Sequence, residues 1–202
     1  MRGAILAGGR AARFDGRPKG LERIGGVRLL DRLVTAFTEA LGEAPLLIAN
    51  DPAAAGWVPG LRAVADIRPG AGAAGGILTA VTLAPAPVVV VAWDMPFVSP
   101  ALIRALADGL AGGDAFLPES DGRRGVEPLC AAYGPATAAA VSAALDRGDF
   151  RAVGFHAALK VGILTLERVR QIGDPALLFL NVNTADDLLE AERLWQRHAS
   201  SR

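Results

Sequence analysis

Apolar residues fall along this chain in two alternating patterns, short unbroken runs and longer stretches at helical spacing. Gly3 to Ala7 is an apolar run that ends in Gly8-Gly9, which predicts a buried strand feeding a glycine loop. The loop runs from Gly9 to Gly20 and is rich in Arg, Gly and Pro, and Gly25-Gly26 marks a turn. Leu29, Leu30, Leu33, Val34, Phe37 and Leu41 then recur with a helical period, so 29–41 is expected to form an amphipathic helix. Leu46 to Ala49 and Leu61 to Ala65 are the next strands. A second glycine-rich stretch, Arg68 to Gly76, leads into a helix predicted over Ile77 to Leu83. Val88-Val-Val-Val-Ala92 carries no polar alternation, as befits a central parallel strand covered on both faces. A helix from about Pro100 to Leu110 follows.

The remainder is less regular. Ala115 to Leu117 and Pro128 to Tyr133 read as strands, Ala136 to Leu145 as a helix, and Arg151 to Leu159 as a further helix. Ile163 to Leu166 and Phe179 to Val182 are the last predicted strands. Thr184 is placed to cap a final helix, with Asp187 three residues on as its reciprocal partner. Strand and helix alternate throughout, the pattern of an α/β protein with an open, mostly parallel sheet. No repeat, charge block or linker divides the chain, so its 202 residues are read as one domain.

Composition narrows the class. Basic and acidic residues balance at 21 each, which excludes the broad positive footprint of a general nucleic-acid binder. The longest apolar stretch, about Ala84 to Trp93, is interrupted by two prolines and falls short of the roughly 20 residues a membrane helix needs. The N-terminal apolar run is too short for a secretory signal. The single Cys130 can make neither an internal disulfide nor a zinc cluster. A soluble protein of the reducing cytoplasm is the expectation.

Charge is unevenly spread. Residues 1–32 hold seven Arg, one Lys and three acids, a local charge of +5 in a neutral chain. A positive loop beside glycines suits a polyphosphate, because exposed backbone N–H groups and cations converge there. The spacing is neither that of a Walker loop nor of a dinucleotide fingerprint. Ligands in such sheets bind at the carboxyl ends of the strands. Those ends carry Leu6-Ala7-Gly8-Gly9, Asp66, Asp94, and Asn181 with Asn183. Only two Lys, Lys19 and Lys160, occur against 19 Arg, which sets Lys19 apart inside the loop. Each residue also has a plainer structural reading: Asp94 and Asp66 as turn or capping acids, Asn181 and Asn183 as turn residues, Lys19 and Arg13 as surface cations. Cys130 is read as structural, His156 as a packed or surface histidine, and His198 as part of a frayed C-terminal tail.

Taken in order, the segments resemble a known family. Leu6-Ala-Gly-Gly-Arg-Ala-Ala-Arg-Phe-Asp-Gly-Arg-Pro-Lys-Gly-Leu21 is similar to the opening signature of the molybdenum cofactor guanylyltransferases, a branch of the nucleotidyltransferases. Gly72-Ala-Ala-Gly-Gly-Ile77 resembles the family's second loop, and Asp94-Met-Pro-Phe97 its acidic strand end. Glu127 to Tyr133 resembles its central strand, and Phe179-Leu-Asn-Val-Asn-Thr184 its closing motif. The likeness covers nearly the whole chain. Pro18, Phe14, Ile48 and the Ala73-Ala74 pair depart from the residues usual in the branch.

The resemblance implies a single-domain three-layer α/β/α fold of the nucleotide-diphospho-sugar transferase type, related to Rossmann folds. Residues 1–110 would bind nucleotide and 111–202 the acceptor. It implies Mg2+-dependent transfer of GMP from GTP to the terminal phosphate of molybdopterin, with or without molybdenum, releasing pyrophosphate. Lys19 would contact the triphosphate, Arg13 the leaving pyrophosphate, and Asp94 the Mg2+. Leu6, Ala7, Gly8, Gly9, Asn50 and Asp66 would bind the nucleotide, the backbone of Leu6, Ala7 and Gly8 at the base or ribose. Asn181 and Asn183 would face the metal or the acceptor. Transient contact with proteins that deliver or accept the cofactor follows from the family, and no nucleic-acid or membrane partner does. Cytidylyl transfer to the same pterin, transfer to another phosphorylated small molecule, and a non-catalytic nucleotide-binding adaptor remain open on these residues. The misplaced glycines count against a Rossmann oxidoreductase.

Overall fold

The computed structural model describes residues 1–8, 18–84 and 86–199. Arg2–Leu6 forms β1, and Arg23–Ile24 with Val27–Arg28 form a small antiparallel hairpin, β2 and β3. Leu29–Leu41 is α1, Leu46–Ile48 is β4, Ala63–Val64 is β5 and Gly72–Leu83 is α2. Val88–Ala92 is β6, Pro100–Gly109 is α3, Ala115–Pro118 is β7 and Cys130–Tyr133 is β8. Thr137–Asp146 is α4, Val161–Leu164 is β9, Leu166–Ile172 is α5, Pro175–Leu178 is α6 and Ala185–Ala199 is α7. Among the described residues no helix is long and apolar enough to cross a membrane.

Seven strands form one sheet in the order β5-β4-β1-β6-β8-β7-β9. All run parallel except β8, which lies antiparallel between β6 and β7. The expected three-layer α/β/α arrangement with a mostly parallel sheet is therefore present. Strand β6 sits in the middle, and its five residues are all buried, which is why it needs no polar alternation. On one face, Leu30, Leu33 and Phe37 of α1 pack with Leu102, Ile103 and Leu106 of α3 over Val89 and Val91. On the other, Ile77, Leu78 and Val81 of α2 pack with Val141 and Ala144 of α4 over Val88 and Val90. Burying apolar side chains on both faces is the main favourable term holding these layers together.

Four expectations are corrected. Helix α2 begins at Gly72, five residues before the predicted start at Ile77. Glycine is a poor helix former, but Gly76 lies against Leu6, where an added Cβ would already be 3.4 Å from a Leu6 methyl. Small residues let this helix start close to the end of β1, and packing overrides propensity. Arg151 to Leu159 is no helix; only a 3-10 turn at His156–Ala158 forms, and Asp149 is spent on the side chain and backbone of Arg151. Phe179 to Val182 is not a strand. The neighbouring places beside β6 are filled by β1 and β8, so the segment instead follows the turn of α6 and reaches the end of β6 through Val182 N–H, which donates to the Asp94 carbonyl at 2.8 Å. The strand predicted at Ile163 to Leu166 is β9, displaced toward the N-terminus, and helix α5 begins at Leu166, with Thr165 accepting the N–H of Arg168.

The cap of α7 forms as expected. Asp187 N–H donates to the Thr184 hydroxyl, and one Asp187 oxygen accepts the N–H groups of Thr184 and Asn183, each at 2.8 Å. Burial works against the charge of Asp187. The donors from Asn183 and Thr184, with the nearby Lys19 ammonium, nevertheless hold its carboxyl below the usual range. Helix α7 also grips the β2–β3 hairpin. Glu192 accepts the N–H of Gly25 at 2.7 Å, and the Arg32 guanidinium lies 4.0 Å from the centre of the Trp195 ring. The last helix is thus tied to the segment that follows Lys19.

Candidate active site

The carboxyl ends of β1, β4, β5 and β6 open onto one cleft of 620 Å3. Leu6, Ala7 and Gly8 enter it from β1, Asn50 from beyond β4, Asp66 from beyond β5, and Asp94 from beyond β6. This is the switch region where strand order reverses on either side of β1, the usual seat of a ligand in such sheets. Gly72, Ala73 and Gly76, from the first turn and a half of α2, form another wall. A helix start presents unpaired N–H groups and the positive end of its dipole, both favourable to anions.

Lys19 lies on a 3-10 turn, Lys19–Leu21, whose Gly20 packs against Trp93, the residue that follows β6. Its Nζ donates to Asp94 Oδ2 at 2.5 Å and to Asn183 Oδ1 at 3.1 Å. The two charged side chains are only 14% and 16% exposed, so water screens this pair poorly. Three residues that are distant in sequence thereby meet at one point. The other Asp94 oxygen, Oδ1, is buried and has no hydrogen-bond partner among the described residues. A buried carboxylate oxygen without a donor is costly unless a cation or donor arrives. That oxygen fits a hard divalent ion that would draw its other ligands from phosphate and water. Among the described residues no cluster of three His, Cys, Asp or Glu offers a closed metal cage.

Asn50 and Asp66 form a reciprocal pair. Asn50 Nδ2 donates to Asp66 Oδ2 at 2.7 Å, and the Asp66 N–H donates to Asn50 Oδ1 at 2.8 Å. Asn50 therefore orients Asp66. Behind them lies Thr79, fully buried within α2. Its hydroxyl accepts the N–H of Ile67 at 3.0 Å and donates to the Gly75 carbonyl at 2.9 Å. A Thr79→Val variant keeps the shape but strands the Ile67 N–H. The expected loss is roughly 1–3 kcal/mol of unfolding free energy in denaturant titration.

Two tryptophans missed by the sequence reading complete the cleft. Trp57 and Trp93 stack with ring centroids 5.4 Å apart and planes at 18°. Both are buried, and Trp93 lies directly beneath Gly20. The signal available was their rarity, three Trp in the chain, one of them next to Asp94. Thr79 had a similar signal, a polar residue inside the apolar stretch Ile77 to Leu83.

Other candidates separate. Asn181 does not join Lys19; its amide donates to the Phe179 carbonyl at 2.9 Å, and it lines a second cleft with Arg123, Arg124, Val126 and Glu127. Gly9 and Arg13 lie outside the described residues. Cys130 is fully buried, and burial pushes its thiol pKa well up, which suits a structural residue. His156 is half-buried beside Tyr133 and Phe155, and burial lowers its pKa.

A cation–carboxylate–amide cluster at the carboxyl end of the sheet, facing a glycine-walled helix start, suits an α/β enzyme that binds and aligns phosphate groups. The model of the MobA-like NTP transferase domain matches residues 3–160, and the chain belongs to that family. A protein of Chloroflexus aggregans named "Probable molybdenum cofactor guanylyltransferase" is 37% identical over 199 residues, covering 93% of this chain and 91% of the relative. One of the same name from Pelotomaculum thermopropionicum is 31% identical over 201 residues, covering 99% and 96%. The crystal structure of molybdopterin-guanine dinucleotide biosynthesis protein A from Archaeoglobus fulgidus superposes with a TM-score of 0.82 at 27% identity, covering 98% of this chain and all of that one. The relatives thus extend over the C-terminal elements, including Asn183 and α7, that lie beyond the domain match.

Proposed function

We propose that this chain transfers GMP from GTP to the terminal phosphate of molybdopterin or the molybdenum cofactor, releasing pyrophosphate. The observation that carries the mechanism is the Lys19–Asp94–Asn183 cluster, whose Asp94 lines the cleft. In the reaction an acceptor phosphate oxygen bonds to the α-phosphorus of GTP. The bond from that phosphorus to the α–β bridging oxygen breaks, and pyrophosphate leaves with the electron pair. The protein's work is alignment and charge neutralisation.

Lys19 is assigned to the triphosphate, where its ammonium offsets negative charge building on the leaving group. Asn183 and Asp94 hold that ammonium in place before substrate binds. Asp94 Oδ1 is assigned to a divalent cation, Mg2+, which when bound neutralises phosphate charge in the transition state. Asp66, oriented by Asn50, is assigned to the nucleoside, and the backbone of Leu6, Ala7 and Gly8 to the base or ribose. Arg13 is assigned to the leaving pyrophosphate and Gly9 to nucleotide binding. The chain acts as one nucleotidyltransferase domain in a cytoplasmic setting. Its donor half spans about 1–110 and its acceptor half about 111–202.

A thermal-shift panel with GTP, CTP, ATP, UTP and NAD, each with and without Mg2+, tests the reading. A ligand bound only by the folded state stabilises it by RT ln(1 + [L]/Kd), about 2.7 kcal/mol at a hundred times Kd. GTP is expected to raise Tm selectively, and more so with Mg2+. Selective stabilisation by CTP would move the assignment to cytidylyl transfer, and a response to NAD alone would overturn it.

A further inference from the structure

The second cleft, of 570 Å3, has no part in the assignments above apart from Asn181. Two short connections join it to the first. Asn183 accepts from Lys19, whose ammonium is paired with Asp94 of the first cleft, while Asn181, two residues earlier, lines the second. Leu129 lines the first, while Glu127, two residues earlier, lines the second. Two residues of chain span at most about 7 Å. The two clefts therefore adjoin, linked at Asn181–Asn183 and at Glu127–Leu129, with Asp94 lining the first.

The chemistry of the second cleft is specific. Glu127 is the one acid that lines it among the described residues. Its backbone is fixed at both ends, with its N–H donating to the Pro118 carbonyl and its carbonyl accepting the Cys130 N–H, each at 3.1 Å. The Ser120 hydroxyl donates to Glu127 Oε1 at 2.7 Å, while Oε2 has no partner among the described residues. The carboxylate is thus held at one oxygen and left available at the other. Opposite it, the Gly125 N–H closes a turn onto the Gly122 carbonyl at 2.9 Å, which places Arg123 and Arg124 at the two central positions. Neither arginine has an ion-pair partner among the described residues, and both are exposed. They give the rim a positive field that suits an anionic acceptor.

We propose that this cleft seats the ring system of the acceptor, with Glu127 accepting hydrogen bonds from a 2-amino-4-oxopyrimidine edge. This rests on the pterin acceptor proposed above. Such an edge offers two parallel donors, the ring N–H and the exocyclic amine, and an ionised carboxylate is the acceptor-only group that matches them. With the ring at Glu127, the phosphate end of the acceptor points along Asn181 and Asn183 toward Lys19 and Asp94, where the α-phosphorus must lie. The groove then orders ring, phosphate and nucleotide in the sequence the reaction requires. Glu127 is a specificity-determining residue in this arrangement and takes no part in bond making.

The test uses the full chain with GTP, Mg2+ and purified molybdopterin, with 6-hydroxymethylpterin and 6-hydroxymethyllumazine as competitors. The lumazine carries oxygen in place of the 2-amino group. Wild type is expected to be inhibited more strongly by the pterin than by the lumazine. Glu127→Gln keeps the volume and the Ser120 bond but removes the charge and one acceptor. It is expected to raise KM for molybdopterin roughly tenfold or more, to erase the pterin preference, and to leave the GTP thermal shift unchanged. If wild type binds GTP and turns over but does not distinguish the two competitors, the inference is overturned while the proposed function stands. The same holds if Glu127→Gln leaves both KM and that preference unaltered. If wild type neither binds GTP nor consumes molybdopterin, the proposed function fails and takes the inference with it.

Discussion

Asp94→Asn is expected to lower GMP transfer by about two to three orders of magnitude, the usual cost of removing one preorganised electrostatic group from a reacting centre. Asparagine keeps the shape of the side chain, so β6, the Trp93 stack and the Asp94 carbonyl that holds Val182 are undisturbed. The charge disappears from both ends of its present duty. Lys19 keeps the Asn183 oxygen and an amide oxygen at position 94 but loses its counter-charge. The buried Oδ1 loses most of its attraction for a divalent ion. Asp94→Ala is a poorer probe, because it removes the acceptor oxygen together with the charge and leaves the Lys19 ammonium, only 14% exposed, with the Asn183 bond alone. The check is initial-rate measurement across a Mg2+ series beside a melting curve. A folded Asp94→Asn variant that turns over at the wild-type rate would remove Asp94 from the metal and charge roles.

Gly20→Ala carries the second large effect, through packing. A Cβ at this position would lie 2.4 Å from Trp93 Cε3, far inside van der Waals contact. Trp93 has little freedom to retreat, since its ring is stacked on Trp57 and belongs to the core beneath α1 and α3. The turn carrying Lys19 must lift instead. Overpacking of this kind costs typically about 1–3 kcal/mol. Lifting the turn also draws Lys19 from Asp94 and Asn183, and misplacement of a positioning group by about 1 Å can cost a hundredfold in rate. The expected variant is folded, melts several degrees lower, and loses far more turnover than stability. Trp93→Phe in the same background removes part of the obstructing ring and should restore a measurable share of both. Unchanged turnover in Gly20→Ala would show that the Lys19 turn tolerates displacement.

Both effects turn on contacts that sequence patterning exposes only in part. The buried strand Val88–Ala92 and the helices at 29–41 and 100–109 were legible because their composition has one physical solution. A run of five apolar residues cannot face water, and helical spacing of leucines makes one sticky face. Glycine, lysine and the acids at strand ends were legible as chemistry for a related reason. Little but a ligand accounts for cations, glycines and carboxylates gathered at one end of a parallel sheet. The start of α2 was not legible, because five small residues carry no periodic signal and their helix exists only by contact with Leu6. Phe179 to Val182 read as a strand because its composition suits one, but pairing depends on a free neighbour, and sheet order is a property of the whole chain.

The candidate site divides in the same way. Lys19, Asp66, Asp94 and Asn183 were each named from type and context, but that Lys19 spends its ammonium on Asp94 and Asn183 required folding 164 residues of chain back on itself. Asn50 was named as a nucleoside contact, and the fold gives it a different immediate duty, orienting Asp66. Trp57, Trp93 and Thr79 left only faint marks in the sequence, since a buried side chain acts through what lies next to it.

The sequence by itself determined the class of the molecule: an α/β sheet with phosphate-suited loops at its strand ends, in a chain of balanced charge. Local periodicity and residue chemistry suffice for that, because they act over a few residues. The packing of the layers settles which oxygen of Asp94 pairs with Lys19, why residue 20 must lack a side chain, and that the two clefts adjoin through Asn181–Asn183 and Glu127–Leu129. Those are contacts between elements far apart in the chain, and their distances exist only once the layers have packed.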